Sequence, residues 1–259
     1  MIKKLEDGLT IEHIKENFSW LLKADIEDAI IGISYIEDVV LGISPNGSLI
    51  WYDGIWYSGE WHDGEWYNGE WRDGIWHNGL WKNGDWKNGK WKNGIWLNGT
   101  WENGEWHDGE WINGEWHNGI WHKGKWLNGI WINGEWYNGI WHNGEWHKGK
   151  WENGEWYNGI WHNGLWKDGS RKCGIWFSGE WLCGYWWKGE WHNGIWHDGI
   201  WKDGIWHNGI WHNGWWHNGT WHNGIWKCGF WDNGEWLGGE WVCGHDKDNN
   251  MRYNSPSEW

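Results

Sequence analysis

The sequence predicts an all-β fold, a repeat solenoid whose sides are each five residues long. From Trp51 to Gly244 it reads W-x-[N/D]-G-x without an insertion, with Trp in 38 of 39 slots and Gly in all 39 slots three residues later. A helix of 3.6 residues per turn would spread these Trp over every face, and each Gly would destabilise it by about 1 kcal/mol. The repeat is therefore built from strands and turns.

An antiparallel β-meander is the alternative. Asn-Gly is a strong hairpin signal. Part of a MORN repeat is similar to the segment Gly69-Glu70-Trp71-Arg72-Asp73-Gly74, and this resemblance implies antiparallel hairpins. The longer period of MORN repeats is absent. Three-residue strands, however, have the wrong parity for two-residue hairpin loops, because successive residues of an antiparallel strand bond to alternate neighbours. A meander would also bare an apolar Trp face larger than soluble monomers tolerate. Both arguments favour the solenoid.

Residues 19–48 keep the same five-residue phase with aliphatic side chains. IEDAIIGIS at 26–34 recurs as IEDVVLGIS at 36–44. The pentad at 24–28, ADIED, resembles the pentapeptide-repeat consensus of a small residue, Asp or Asn, Leu or Phe, and two polar residues. The resemblance implies a right-handed four-sided β-helix with one pentad on each side and the small and large residues inside. In 19–48 the large inward slot holds Leu21, Ile26, Ile31, Ile36 and Leu41.

The Trp tract keeps this phase, with Trp in the large slot and Gly two residues before it. Residues i−2 and i share a face of an extended segment, so a smaller partner beside a larger centre roughly conserves core volume. Gly also permits positive φ at a corner, and stacked Asn would form amide ladders outside. The predicted core includes Trp56, Trp61, Trp101, Trp141, Trp191 and Trp241. The predicted corner glycines include Gly54, Gly59, Gly104, Gly139, Gly194 and Gly244.

Four segments follow from these patterns. Residues 1–18 are predicted to be a polar N-terminal cap that can contain a helix with Thr10 as N-cap, 19–48 the aliphatic pentads, 49–244 the Trp/Gly tract and 245–259 a polar tail. No apolar run is long enough to span a bilayer, and the N-terminus lacks the apolar core of a secretory signal. We therefore expect a cytoplasmic or virion location and no membrane partner.

The net charge of −15 does not indicate nucleic-acid chemistry. The tract mixes 24 acidic with 15 basic residues and has no basic stripe, so nucleic acid is not an expected partner. Some pentapeptide-repeat proteins are acidic DNA mimics, and the resemblance makes an acidic DNA-mimic rod a further alternative. B-DNA, however, carries one charge per about 1.7 Å, and a mixed surface imitates it poorly.

His and Cys occupy outward slots of the repeat. Most tract His follow a Trp, where Lys, Tyr and Leu also occur, so a solvated position with a pH response is favoured over metal binding by stacked His pairs. We expect no metal and no cofactor. Coils of twenty residues would keep the four Cys apart and leave four reduced thiols. These residues are Cys173, Cys183, Cys228 and Cys243.

The sequence offers no unique nucleophile or isolated carboxylate pair, so we expect no enzyme. Local irregularities are the doublets Trp186-Trp187 and Trp215-Trp216, Phe230, and Arg171, which replaces a core Trp. Arg171 and Lys172 are either a tolerated irregularity or a place where a partner docks.

The favoured function is a non-catalytic rigid β-repeat scaffold for structure or protein–protein interaction, through a protein partner or self-assembly. Trp-rich W-x-N-G-x tracts look like uncharacterised bacteriophage and bacterial proteins, which suggests a phage virion or tail-associated role. The alternative from another class is a carbohydrate-binding surface formed by aromatic rows.

Overall fold

The computed structural model describes residues 3–4, 30–45 and 49–258, which form an all-β parallel β-solenoid. The chain divides into two compact units, Met1–Ile130 and Trp131–Trp259, with the same construction in each. Apart from Lys3–Lys4, the predicted cap at 1–18 lies outside the described residues, as do the predicted core residues Leu21 and Ile26.

Most strands are two residues long. The first three are β1 (Lys3–Lys4), β2 (Ile30–Ile43) and β3 (Leu49–Trp61). Each later strand of the tract consists of one core residue and the residue before it, at five-residue intervals from Glu65–Trp66 to Glu240–Trp241. The described chain ends with strands Gly244–His245 and Met251–Arg252 and a 3-10 turn at Pro256–Glu258.

The strands stack in parallel with a register of fifteen residues. In the first unit Trp51 pairs with Trp66, and in the second unit Trp176 pairs with Trp191. The Tyr67 N–H donates to the Trp51 carbonyl at 2.7 Å, so backbone hydrogen bonds join each coil to the next. Three pentads therefore complete a coil. The predicted four-sided coil is wrong, and the antiparallel meander is wrong for the described tract.

The core consists of columns of stacked indoles. Trp101 is fully buried and stacks on Trp86 and Trp116 with ring centroids 4.7 Å apart and planes within 6°. It meets Trp96 and Trp106 edge to face at 6.0 Å. Aromatic rings prefer both arrangements to an eclipsed sandwich. Three indoles per coil therefore close a triangle, and each side needs only one large residue.

The corners require glycine for two separate reasons. Gly104 has φ of 132°, which side chains on L-residues rarely allow. A Cβ there would also overlap the Gly89 carbonyl oxygen of the coil below and crowd the Trp101 ring. Positive φ is found at the predicted corners Gly54, Gly59, Gly104, Gly139 and Gly194. Gly244 differs, because it lies in a strand paired with Arg252, so its assignment as a corner was wrong.

An antiparallel strand covers the first coil. β2 pairs with β3, with Leu41 opposite Trp51 and Ile36 opposite Trp56, and β1 pairs antiparallel with β2. The predicted inward residues Ile31, Ile36 and Leu41 therefore lie on one long strand rather than on successive sides of a coil. Because an uncovered sheet edge can pair with another chain, β2 protects this end of the first unit.

The polar tail forms the cover of the second unit. Strand Met251–Arg252 pairs antiparallel with Gly244–His245, and the Asp246 carboxylate organises the turn between them. Asp246 accepts hydrogen bonds from the backbone N–H groups of Asp248 and Asn250 at 2.9 Å and from Arg252 Nε at 2.8 Å. The backbone N–H of Asn250 and the other donors lower the pKa of this carboxyl to about 2, although desolvation opposes them.

Gly104→Val is expected to lower the free energy of unfolding by more than about 2 kcal/mol, because it adds backbone strain and an overlap with a carbonyl. His117→Val is the control, since His117 is exposed in the outward slot that Ile112 also occupies, and we expect a change within about 0.5 kcal/mol. Chemical denaturation measures both. Equal effects would contradict the inward and outward assignments.

Candidate functional site

The outward surface is made of rows of side chains that stack from coil to coil. In each two-residue strand the core residue is buried and the residue before it is half-buried or exposed, as in Glu65–Trp66 and Asp85–Trp86. The residue after each Trp also faces outward in the described tract, as predicted. Of the predicted core residues, Trp56, Trp61, Trp101, Trp141 and Trp191 are fully buried, whereas Trp241 in the last coil is half-buried.

The predicted amide ladders are present along the corners. Asn83 Nδ2 donates to Asn68 Oδ1 at 3.1 Å, and Asn98 Nδ2 donates to Asn83 Oδ1 at 3.3 Å. Asn113 continues the same row. Each amide thus donates to the coil before it and accepts from the coil after it, which makes the corner a regular polar edge.

Oppositely charged side chains in adjacent coils form ion pairs. Lys87 Nζ lies 2.6 Å from Glu102 Oε1, and Lys125 Nζ lies 2.9 Å from Glu110 Oε1. These side chains are exposed by a third or more, so each pair stabilises the fold by at most about 1 kcal/mol. Because these ion pairs neutralise part of the negative charge, the surface is mixed in sign and does not resemble the uniformly negative phosphate backbone of a nucleic acid.

The second unit carries an exposed aromatic face, which we define as Tyr185, Trp187, Trp215 and Phe230. The first three are 42–49% exposed. Sequence reasoning noticed the two Trp doublets and Phe230 as separate irregularities. The register of fifteen places Trp215 opposite Phe230 and puts Tyr185 in the same row, while Trp187 lies on the other side of the same core column. Only knowledge of the coil length could have joined them.

Neighbouring side chains cover the ring faces in this group. Trp215 stacks on Phe230 at 4.9 Å and on His217 at 5.5 Å. Lys172 Nζ lies 4.7 Å from the centre of the Trp187 ring, and Trp187 Nε1 donates to Ser170 Oγ. Other side chains therefore lie against the rings of Trp187 and Trp215, and the Trp of the core columns are buried and not accessible to a sugar.

Arg171 lies inside the core, not on the surface. Its guanidinium takes the place of an indole, with Cζ 5.0 Å from the Trp156 ring and 4.8 Å from the Trp186 ring. It is fully buried, and none of its three side-chain nitrogens has a hydrogen-bond partner. Burial lowers the pKa of the guanidinium to about 9. At this irregularity a partner would meet Lys172, whose neighbour Trp187 is exposed, and not Arg171.

Four groups of outward side chains have metal-ligand chemistry. Each contains a Glu, a first His two residues after it, and a second His fifteen residues after the first, in the next coil. All ligand atoms of a group lie within 4.8 Å of one another. The groups are Glu60–His62–His77, Glu105–His107–His122, Glu145–His147–His162 and Glu190–His192–His207. Sequence reasoning expected no metal because Lys, Tyr and Leu also occupy the slot after Trp, and the coil length that decides which His stack was not known.

The four Cys are free thiols, but two of them touch. Cys228 and Cys243 occupy adjacent coils with their Sγ atoms 2.8 Å apart. The coil of fifteen residues thus overturns the predicted separation of these two thiols. Desolvation and the hydrogen bond to Cys228 raise the pKa of Cys243 to about 11.

No family model matches the sequence, and no curated protein and no solved structure matches it. The described residues contain no helix that is long and apolar enough to cross a membrane.

Arg171→Trp is expected to raise the free energy of unfolding by about 1–4 kcal/mol, because it restores the indole column and removes a buried, unpaired cation. The pKa of Arg171 is lower in the folded chain than in the unfolded chain. The free-energy cost of burying the charged guanidinium is therefore at its full value below about pH 9 and decreases as the pH rises further. Denaturation at pH 7 tests the variant, with Lys172→Trp, at a half-buried outward position, as the control. A loss of stability in Arg171→Trp would contradict the buried-cation argument.

Mild oxidation is expected to join Cys228 to Cys243 within one chain, because stacked positions of adjacent coils lie within disulfide reach. The reaction should accelerate as pH rises toward 11, since the thiolate is the nucleophile. Peptide mapping after oxidation identifies the linkage, and Cys173→Ser should not alter it. A Cys183 linkage instead would contradict the register of the last coils.

Proposed function

We propose that this protein is a non-catalytic, rigid β-repeat scaffold for structure or protein–protein interaction. The observation that carries the proposal is the uniform construction of the two units, each of which has a core of stacked indoles and outward rows of repeated slots. Backbone hydrogen bonds and indole stacks recur in coil after coil, as at Trp101 and Trp191. Such a framework holds surface side chains at fixed spacings, which suits recognition of an extended or repeated partner.

The surface favours a protein partner or self-assembly. Tyr, Trp and Phe are enriched where proteins bind one another, and the aromatic face concentrates them on one side of the second unit. The mixed ion-pair rows argue against nucleic acid and against an acidic DNA-mimic rod. Antiparallel strands cover the first and last coils, so association is expected along the sides of a unit and not end to end.

We further propose kinship with pentapeptide-repeat proteins and a cytoplasmic or virion location, with a phage tail as one setting. The five-residue side, the inward large residue and the parallel coils support the kinship. The coil of three pentads departs from the four-sided form that the resemblance implied. Trp in the large slot and Gly as the sole inward neighbour are compatible with this narrower coil.

Carbohydrate binding is the second candidate function. The observation that favours it is the exposure of Trp187 and Trp215, at 44% and 42%. Aromatic rings bind sugars through their flat faces, however, and here Lys172 lies over the Trp187 ring while Phe230 and His217 stack on Trp215. A sugar would have to displace Lys172 from Trp187 or enter beside Trp215.

One pair of variants distinguishes the scaffold function from carbohydrate binding. The variants are the double variant Trp187→Ser/Trp215→Ser and, as a control, Tyr137→Ser, which changes an exposed aromatic residue outside the aromatic face. We compare both with wild type by sedimentation of the purified chain and by affinity measurements with any identified partner protein. For the scaffold, the double variant should weaken association at least tenfold at unchanged thermal stability, while Tyr137→Ser retains it. Saturable glycan binding that only the double variant loses would instead establish the carbohydrate function.

A further inference from the structure

The Glu–His–His groups share one arrangement that recurs within each unit. In the first unit Glu60 and Glu105 are three coils apart in the same row, and in the second unit Glu145 and Glu190 are likewise three coils apart. At about 4.8 Å per coil the two groups of a unit are roughly 14 Å apart. Each group is thus a separate cluster, shared between two adjacent coils.

The separations between the carboxylate oxygen and the imidazole nitrogens are close to those that a tetrahedral metal ion needs. Zn²⁺ binds imidazole nitrogen and carboxylate oxygen at about 2.0–2.2 Å, so two ligand atoms of one tetrahedral ion are roughly 3.3–3.6 Å apart. Glu60 Oε2 lies 3.4 Å from His62 Nε2 and 3.0 Å from His77 Nε2.

The corresponding group in the second unit has almost the same geometry. Glu145 Oε2 lies 3.5 Å from His147 Nε2 and 3.6 Å from His162 Nε2. In the last group, Glu190 Oε2 lies 3.6 Å from His192 Nε2 and 3.9 Å from His207 Nε2. One carboxylate oxygen therefore faces two imidazole nitrogens in each of these groups.

The imidazoles of each pair are held in place by stacking on one another. The rings of His62 and His77 stack with centroids 4.4 Å apart, and those of His147 and His162 stack at 4.6 Å. The Nε2 atoms of His62 and His162 are shielded from solvent and make no hydrogen bond.

We propose that each of the four groups binds a divalent transition-metal ion of the Zn²⁺ class through two imidazole nitrogens and one carboxylate oxygen. Three protein ligands leave a fourth position for water or for a donor from a partner. Two ligands come from one coil and the third from the next, so the bound ion joins adjacent coils. At the Glu105 group Lys90, 3.4 Å from the carboxylate oxygen, must release it first.

The chain contains a natural control for this arrangement. Glu115 and His117 repeat the first two members of a group, with Oε2 and Nε2 3.4 Å apart. The residue fifteen positions after His117 in the sequence is Ile132 instead of a second His. This pair lacks the third ligand, and we expect it to bind no ion with comparable affinity.

Calorimetric titration of the full chain with ZnCl₂ and native mass spectrometry test the proposal. The four Cys are replaced by Ser throughout, so that thiols cannot contribute. We expect four ions per chain, three in Glu60→Gln and three in His77→Ile, which recreates the Glu115–His117–Ile132 arrangement. Glu115→Gln should keep four.

Thermal unfolding supplies an independent readout that does not depend on counting ions. Zn²⁺ should raise the unfolding temperature of the parent chain, and the Glu60→Gln/Glu105→Gln/Glu145→Gln/Glu190→Gln variant should lose that response while its metal-free circular dichroism stays unchanged. Binding with a stoichiometry that ignores these substitutions, or no binding at 100-fold molar excess of Zn²⁺, would overturn the assignment.

Discussion

Stacking of each inward indole on the indole fifteen residues away is the interaction on which the described fold depends. Burying an indole removes about 150–250 Å² from water, worth roughly 4–6 kcal/mol before conformational entropy is considered. Many indole N–H groups, including those of Trp56, Trp91 and Trp106, have no acceptor in the core. Each such group costs about 1–3 kcal/mol, less than the burial contributes. Trp196 and Trp201 recover part of this by donating to carbonyls of the next coil at 3.1 Å.

The same stacking explains the glycines and the narrow coil. A side of five residues has room for one indole only if the inward neighbour has no side chain. The corner must also bring two backbones close together, since the position of a Cβ on Gly104 is taken by the Gly89 carbonyl. A third indole then closes the triangle through edge-to-face contacts at about 6 Å. Smaller core residues would fill a triangle of this size less completely, and a fourth indole has no place in it.

Much of this could be predicted from the sequence, because period, inward slot and outward slots are local properties. The W-x-N-G-x pattern indicates which residue is large, which can adopt positive φ and which three face water. The number of sides is not local, since a repeat of five is equally compatible with coils of fifteen or twenty residues. Interactions that depend on which particular residues stack were therefore missed, including the contact of Cys228 with Cys243, the aromatic face and the Glu–His–His groups. Residues 30–43 were also misjudged, because an aliphatic run can form one long strand as readily as several short sides.

The coil of fifteen residues restricts how such a chain can lengthen or shorten over generations. Gain or loss of a single pentad leaves the interior intact, because every pentad carries the same Trp and Gly. It would nevertheless move all later outward residues to the next side of the triangle, and the pairings between outward side chains on either side of the change would be lost. Only duplications in multiples of three pentads conserve the pattern, and the interval between Glu60 and Glu105, like that between Glu145 and Glu190, is such a multiple. If selection acts on the outward residues, insertions and deletions should therefore have lengths that are multiples of three pentads.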